Sequence, residues 1–501
     1  MHNNTNTYCT IVLFGATGDL AYRKLYPSIY NLYKKGHLSD HFAVIGSARR
    51  DLTDDTFRER VKQSLHDSKI VVDEQHLDSF LSHFYYLSLD VKQEDYGRLH
   101  SLLHELETNF QIPGNRMFYL AMAPQFFGTT TGFLKSEGIL NEQGWNRLII
   151  EKPFGHDLPS AQKLNKEIRE AFEEDEIFRI DHYLGKEMVQ NIEVIRFANA
   201  MFEPLWNNRY ISNIQVTSSE SLGVEERGGY YDKAGALRDM VQNHMLQMVA
   251  LLAMEPPIRL TTEEIRSEKI KVMRAIKPIS PEEVDNYFVR GQYGAGKIKN
   301  NEVPAYRSEP NVDPESNTET FVAGKVLIDN FRWAGVPFYI RTGKRMAEKS
   351  TKIVVQFKDM PMNLYYKSEH KAHPNLLIIH IQPEEGISLV INGKKITKEL
   401  NITPVKLDNC YNCVDKMNTP EAYEKLLHDA ILGDATNFTH WNEVALSWKF
   451  VDVIFDAWEK KKAQDFPNYA SGSMGPKAAD ELLEKDGFHW WPVGGSSNYS
   501  I

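Results

Sequence analysis

Ten residues, Phe178–Glu187, read FRIDHYLGKE and hold Arg179, Asp181, His182, Tyr183, Lys186 and Glu187 around one glycine. An acid, a base, a phenol and cations at this density can handle charge. A helix from about Tyr183 would put Lys186 one turn on from both His182 and Tyr183. The three side chains would then converge at a helix amino terminus, a good setting for a phosphoryl group. The plainer alternative is a solvated helix start with Asp181 as its cap. These residues taken alone leave both open.

A second polar cluster lies in RDMVQNHMLQMVALLAM, Arg238–Met254. Its second half is apolar, but Asp239, Gln242, Asn243, His244 and Gln247 crowd the first. At helical spacing Asp239 and Asn243 share one face, and His244 and Gln247 another. Polar groups buried without partners are costly, so this face is exposed or lines a pocket. Histidine is the natural general base near neutral pH, although a lone histidine is commonly structural.

Three smaller signals accompany these. Lys152, in Glu151-Lys-Pro-Phe154, closes an apolar strand, where a lysine would point into the ligand crevice of an open α/β sheet; exposure on the surface is its plainer reading. Lys344 and Lys349 lie just before a strand, where a solvated loop is the plainer reading. Cys410 and Cys413 lack the second pair that a tetrahedral zinc site needs, so they read as incidental cysteines in a polar loop.

Gly15-Ala-Thr-Gly18-Asp-Leu-Ala21 lies where a strand gives way to a helix. Glycines there let the backbone approach a pyrophosphate, and the helix amino terminus supplies N–H groups and a positive dipole end. The spacing GxxGxxA is also that of an ordinary tight turn. The next strand ends in Gly46-Ser-Ala-Arg49-Arg50. An arginine at that place suits a ribose 2′-phosphate and favours NADP, with NAD open as a second cofactor.

The elements that must position these groups follow from periodicity. Tyr8–Phe14, His41–Arg50, FYYLSLDV, NRMFYLAMAP and WNRLIIEKPFG read as strands, alternating with helix-like segments. That order predicts a parallel, doubly wound sheet. After about Ala200, YISNIQVTSSESLG and KSTKIVVQFKDM alternate like half-buried antiparallel strands. NLLIIHIQPEEGISLVINGKK reads as two strands joined at Glu384–Gly386, with an Asn-Gly turn ending the second. The predicted fold is an α/β Rossmann-type dinucleotide-binding domain, 1–180, plus a larger α+β domain with a broad, mostly antiparallel sheet, 181–501.

A chain of 501 residues supports two domains. Its net charge of −10 disfavours nonspecific nucleic-acid binding, so any anion site must be a local concentration of cations. No apolar run approaches a membrane span, and the amino terminus does not read as a signal peptide. Three cysteines suggest no disulfide framework and fit a reducing cytoplasm.

GATGDLAYRKLYP, GSAR, YLAMAP, EKPFG, RIDHYLGKE, GGYYDKAGALRDMVQNH, RTGK and GSMGPKAADELLEKDG together resemble the glucose-6-phosphate dehydrogenase family, in family order along nearly the whole chain. RIDHYLGKE is the most specific of them. The resemblance implies oxidation of D-glucose 6-phosphate at C1 to the 6-phospho-1,5-lactone with hydride transfer to NADP, the first step of the oxidative pentose phosphate pathway. It implies that His244 is the general base and Asp181 its orienting, charge-stabilising partner. His182, Tyr183 and Lys186 would cradle the sugar phosphate, Lys344 and Lys349 would add substrate contacts, and Glu220 and Asp239 would hold sugar hydroxyls. Lys152 would touch both substrate and cofactor. Gly15, Thr17, Gly18, Asp19, Leu20, Arg49, Asp90 and Val91 would form the dinucleotide site. No metal is implied, nor nucleic acid or membrane as partner. A homodimer through the broad sheet is implied, with a dimer of dimers as a further assembly. The segment LDNCYNCVDKMNTPEAY departs from the family pattern, and the second NADP site of some animal members is not expected. Two rival readings remain: a related sugar dehydrogenase for another hexose derivative, and an inactive NADP-sensing regulator.

Overall fold

The computed structural model describes the chain except residues 1–7, 39, 69, 93–94, 363, 366–371, 397–400, 412–420, 462–464 and 493–501. It divides into two compact units: Met1–Gly185 with Leu260–Arg266 and Pro420–Ala445, and Lys186–Arg259 with Ser267–Thr419 and Leu446–Ile501. Each is described by itself.

Six runs of apolar and β-branched residues build the first sheet: β1 (Cys9–Phe14), β2 (Phe42–Ala48), β3 (Phe84–Ser88), β4 (Arg116–Leu120), β5 (Asn146–Ile150) and β6 (Ile177–Ile180). They lie in the order β6-β5-β4-β1-β2-β3, all parallel, and the short strand Phe438–Thr439 adds antiparallel to β6. This is the doubly wound dinucleotide-binding order, with its switch point between β1 and β4. Near-continuous apolar strands are what a sheet covered on both faces requires. Ile11, Leu13, Val44, Phe84, Tyr119, Ile149 and Phe178 form one core with Leu426, Leu427 and Ala430 of the helix Ala422–Leu432. Burying each large apolar side chain stabilises the fold by about 1.5–3 kcal/mol, which accounts for the late segment returning to this unit.

The second unit is built on an eight-stranded sheet. Its strands are β7 (Ile211–Ser219), β8 (Phe288–Gly291), β9 (Phe321–Val326), β10 (Phe338–Gly343), β11 (Ser350–Phe357), β12 (Leu376–Gln382), β13 (Gly386–Lys394) and β14 (Ile402–Cys410). The order is β14-β13-β12-β11-β7-β10-β9-β8. Every pair is antiparallel except β7 with β10. The expected broad, mostly antiparallel sheet is therefore present.

Four local expectations are corrected. Phe178–Ile180 belongs to β6, and residues 181–185 form turns, so the helix begins only at Glu187 with Lys186 as its N-cap residue. Asn392 and Gly393 do not turn the chain; they pair with Pro404 and Thr403 inside the β13–β14 ladder. Gly386 opens β13, so the connection is Pro383–Glu385. Cys410 is disulfide-bonded, against its reading as incidental, while Cys413 and most of the divergent loop lie outside the described residues.

Candidate active site

In the first unit the expected residues gather at the carboxyl ends of parallel strands, the edge where ligands bind in such sheets. Gly15 follows β1 with φ +87°, and a Cβ there would stand 2.2 Å from the Ala121 carbonyl oxygen after β4. Only glycine fits this place. The Gly15 and Ala16 amides both donate to the Ser47 carbonyl, at 2.8 and 3.1 Å, which ties the turn to the end of β2. Gly18 donates to the Gly15 carbonyl at 2.9 Å, and the Thr17 carbonyl accepts from Arg60 at 2.9 Å. The chain then winds through a π-type segment, Ala21–Leu25, into the helix Tyr26–Lys34. Asp19 pairs with Arg23 at 2.7 Å on the surface, and Leu20 precedes the π segment.

Arg49 stands exposed just beyond β2, and among the described residues no hydrogen bond or ion pair holds its guanidinium. Asp90 and Val91 follow β3; Asp90 accepts the Lys92 amide at 3.1 Å, and the Val91 carbonyl accepts from Tyr96 at 3.5 Å. A turn closed to any Cβ at Gly15 and a helix start fit a dinucleotide pyrophosphate.

Lys152 follows β5 beside Glu151, and Asp181 follows β6. Glu151 accepts from Tyr119 at 2.5 Å and also from Tyr423; burial pushes its carboxyl up against these bonds. The Tyr423 ring is nearly parallel to His182 at 6.5 Å, and His182 meets Tyr183 edge-on at 5.0 Å. Asp181 is buried and accepts the Tyr183 amide at 2.9 Å, which closes the turn rather than capping a helix. Arg179 has a structural place: it grips Glu174 with two bonds of 2.6 and 3.0 Å, reaches Asn165 at 2.7 Å and lies over Phe154.

In the second unit strand register does the gathering. Gly343 pairs with Ser219 in the parallel β7–β10 ladder, so the residues that follow, Glu220 and Lys344, meet and form an ion pair. Ser350 pairs with the same Ser219 from the other side, which brings exposed Lys349 to that end of the sheet. Thr351 pairs with Gln382, and Lys186 hydrogen-bonds Gln382. Two segments distant in the sequence thus bring three lysines, Lys186, Lys344 and Lys349, to one sheet end.

His244 is fully buried, and Asp239, Gln242 and Gln247 are buried around it in sequence. Residues Leu237–Met245 wind as a π-helix before the α-helix Leu246–Ala253. Its i→i+5 pattern puts His244 about one turn beyond Asp239, whereas α-helical spacing sets them on different faces. Such segments occur often at functional sites. The start is set by Gly235, φ +67°, where a Cβ would lie 2.3 Å from Glu319 Oε1. Glu319 accepts the Leu237 amide through Oε1 and the Ala236 amide through its carbonyl, both at 2.9 Å. At the far end Arg196 donates to the Leu251 and Met254 carbonyls, Trp206 to Leu252 and Trp333 to Ala253, at 2.7–2.8 Å. His244 therefore rides on a helix held at both ends. Tyr230 hydrogen-bonds Asp239, and burial with that carboxylate pushes the phenol up to about 12.

Sequence reasoning missed Gln382, Glu319, Tyr119 and Tyr423, whose partners are remote in the chain. Gly235 was the one local signal for Glu319. Among the described residues no group of three or more His, Cys, Asp or Glu could hold a metal ion, and no helix is long and apolar enough to cross a membrane.

Against known proteins, residues 12–191 match the family model for the glucose-6-phosphate dehydrogenase NAD binding domain, and residues 193–491 that for the glucose-6-phosphate dehydrogenase C-terminal domain. The sequence is 67% identical over 494 residues to glucose-6-phosphate 1-dehydrogenase of Bacillus subtilis, covering 98% of this chain and 100% of that one. It is 47% identical over 481 residues to that of Leuconostoc mesenteroides, covering 96% and 98%. A solved glucose-6-phosphate dehydrogenase in complex with its substrate glucose-6-phosphate superimposes with a TM-score of 0.88 at 36% identity, covering 97% of this chain and 99% of that one.

Proposed function

The chain belongs to the glucose-6-phosphate dehydrogenase family, and from that premise we infer that it oxidises D-glucose 6-phosphate at C1 to 6-phospho-D-glucono-1,5-lactone with NADP as cofactor. It is an oxidoreductase with a Rossmann-type dinucleotide-binding domain. Family membership does not favour a dehydrogenase for another hexose derivative or an inactive regulator.

We assign the dinucleotide to the first unit. Gly15, Thr17, Gly18, Asp19 and Leu20 receive the pyrophosphate, with Asp90, Val91 and Lys152 as further contacts. Arg49 takes the 2′-phosphate, which is the basis for NADP over NAD. Bound nicotinamide supplies the acceptor for the hydride that leaves C1. His244 takes the proton of the C1 hydroxyl, as a buried imidazole can near neutral pH. Asp181 carries the compensating negative charge. His182, Tyr183, Lys186, Lys344 and Lys349 bind the phosphoryl end, with Lys152 also touching the sugar. Glu220 and Asp239 hold ring hydroxyls. The observation that carries this reading is the second unit's cluster: buried His244 beside Asp239 on a clamped π-turn, with Lys186, Lys344 and Lys349 at one sheet end.

We further assign a homodimer through the broad sheet, able to pair into a dimer of dimers, and a cytoplasmic location. Exposed Ile391, Val405 and Leu407 on β13 and β14 support the first. Steady-state dinucleotide reduction with glucose 6-phosphate, glucose and 6-phosphogluconate, each against NADP and NAD, tests the function. Glucose 6-phosphate with NADP should give the highest kcat/KM; a preference for either other substrate would contradict the reading.

A further inference from the structure

Two tyrosines stand side by side in the segment that leads into the His244 helix, and their hydroxyls differ in one respect. Tyr230 is engaged by Asp239. Tyr231 is 3% exposed, and its buried hydroxyl has no hydrogen-bond partner among the described residues. Buried polar atoms in native proteins nearly always find a partner, so this oxygen calls for one.

The ring cannot easily turn away to find it. Tyr306 packs edge-on against it at 6.4 Å. Asp232, the next residue, accepts from Tyr306 Oη at 2.8 Å and Ser316 Oγ at 2.5 Å, and its carbonyl accepts from Thr318 at 2.6 Å. These bonds fix the backbone that carries Tyr231. Lys344 Nζ lies over the ring, 5.4 Å from its centroid. Burial, together with the negative charges of Asp239, Glu319 and Glu220 and the Tyr469 hydroxyl, keeps the phenol protonated. Tyr231 is therefore a neutral donor set beside Lys344, assigned above to the phosphoryl end, and Glu220 and Asp239, assigned to the ring hydroxyls.

We propose that Tyr231 is a further substrate-contacting residue, donating its buried hydroxyl to a ring hydroxyl of the hexose phosphate and so helping to select among hexoses. This rests on the glucose 6-phosphate reading. A sugar hydroxyl offers the acceptor lone pair that a protonated phenol needs, and the flanking carboxylates can accept from the same hydroxyl or its neighbour. A site built to bond a substrate hydroxyl discriminates strongly against analogues that lack it.

Tyr231→Phe removes one oxygen and leaves the ring, its Tyr306 contact and the face under Lys344. With glucose 6-phosphate and NADP, KM should rise about tenfold with little change in kcat. The 2-, 3- and 4-deoxy analogues of glucose 6-phosphate, assayed with both proteins, identify the contact. For the analogue lacking the contacted hydroxyl, Tyr231→Phe should add no further loss. An unchanged KM, or the same loss with every analogue, would overturn the contact while an active wild type upholds the substrate reading. A wild type inactive with glucose 6-phosphate would overturn both.

Discussion

Glu220 and Lys344 meet as an ion pair because they follow two neighbouring parallel strands whose last residues, Ser219 and Gly343, are in register. In the proposed reading the sugar phosphate draws Lys344 to its phosphoryl group, and Glu220 accepts from a ring hydroxyl. Lys344→Ala should raise KM for glucose 6-phosphate about tenfold or more while leaving unphosphorylated glucose nearly unaffected, as charge-assisted bonds predict. Parallel KM measurements with the two sugars check this, and equal losses would place Lys344 away from the phosphate.

Arg49 presents a guanidinium unengaged among the described residues just beyond β2, the strand whose Ser47 carbonyl anchors the glycine turn. Arg49→Ala should reduce kcat/KM with NADP about tenfold or more and with NAD much less. Steady-state kinetics with both dinucleotides decide it. A uniform loss would point to adenine stacking instead.

Arg179 holds Glu174 in a nearly buried two-bond pair, and Glu174 also accepts the Trp441 amide at 2.8 Å. Burial alone would push the Glu174 carboxyl up, but the Arg179 bonds and charge outweigh it and hold it low. Arg179→Leu would strand that carboxylate and should destabilise the fold by about 3 kcal/mol. Denaturant unfolding measures the loss. Turnover per folded molecule should stay near wild type.

His380 on β12 shares a hydrogen bond of 2.9 Å with Ser388, and burial followed by the charges of Lys352 and Lys406 pushes its pKa down to about 4. The unfolded chain therefore binds this proton more tightly than the folded one. Its contribution to stability is present above pH about 6.5 and is lost as pH falls toward 4. Melting temperature should drop less steeply across that window in His380→Gln than in wild type; identical slopes would contradict the shift.

Much of this was legible in the sequence, and the illegible parts share causes. The glycine turn was readable because strand, turn and helix are contiguous, and the alternating runs announced both sheets. β6 was hidden because Phe178–Ile180 is short and carries Arg179, whose charge is neutralised by Glu174, close in sequence yet part of no strand pattern. The π-winding of Leu237–Met245 breaks the spacing that periodicity assumes, so Asp239 and His244 looked as if they faced apart. Asn392-Gly393 has the composition of a turn, but β14 pairs through it. Gln382 and Glu319 act through partners far away in the chain, and no local pattern marks them.

The central claim is that His244, buried on a helix clamped by Glu319 at one end and by Arg196, Trp206 and Trp333 at the other, removes the C1 hydroxyl proton. The direct test is kcat of His244→Ala with glucose 6-phosphate and NADP, alongside Kd for the sugar phosphate. A fall in kcat of about a thousandfold, with Kd changed only slightly, is predicted. Turnover near wild type would contradict the account.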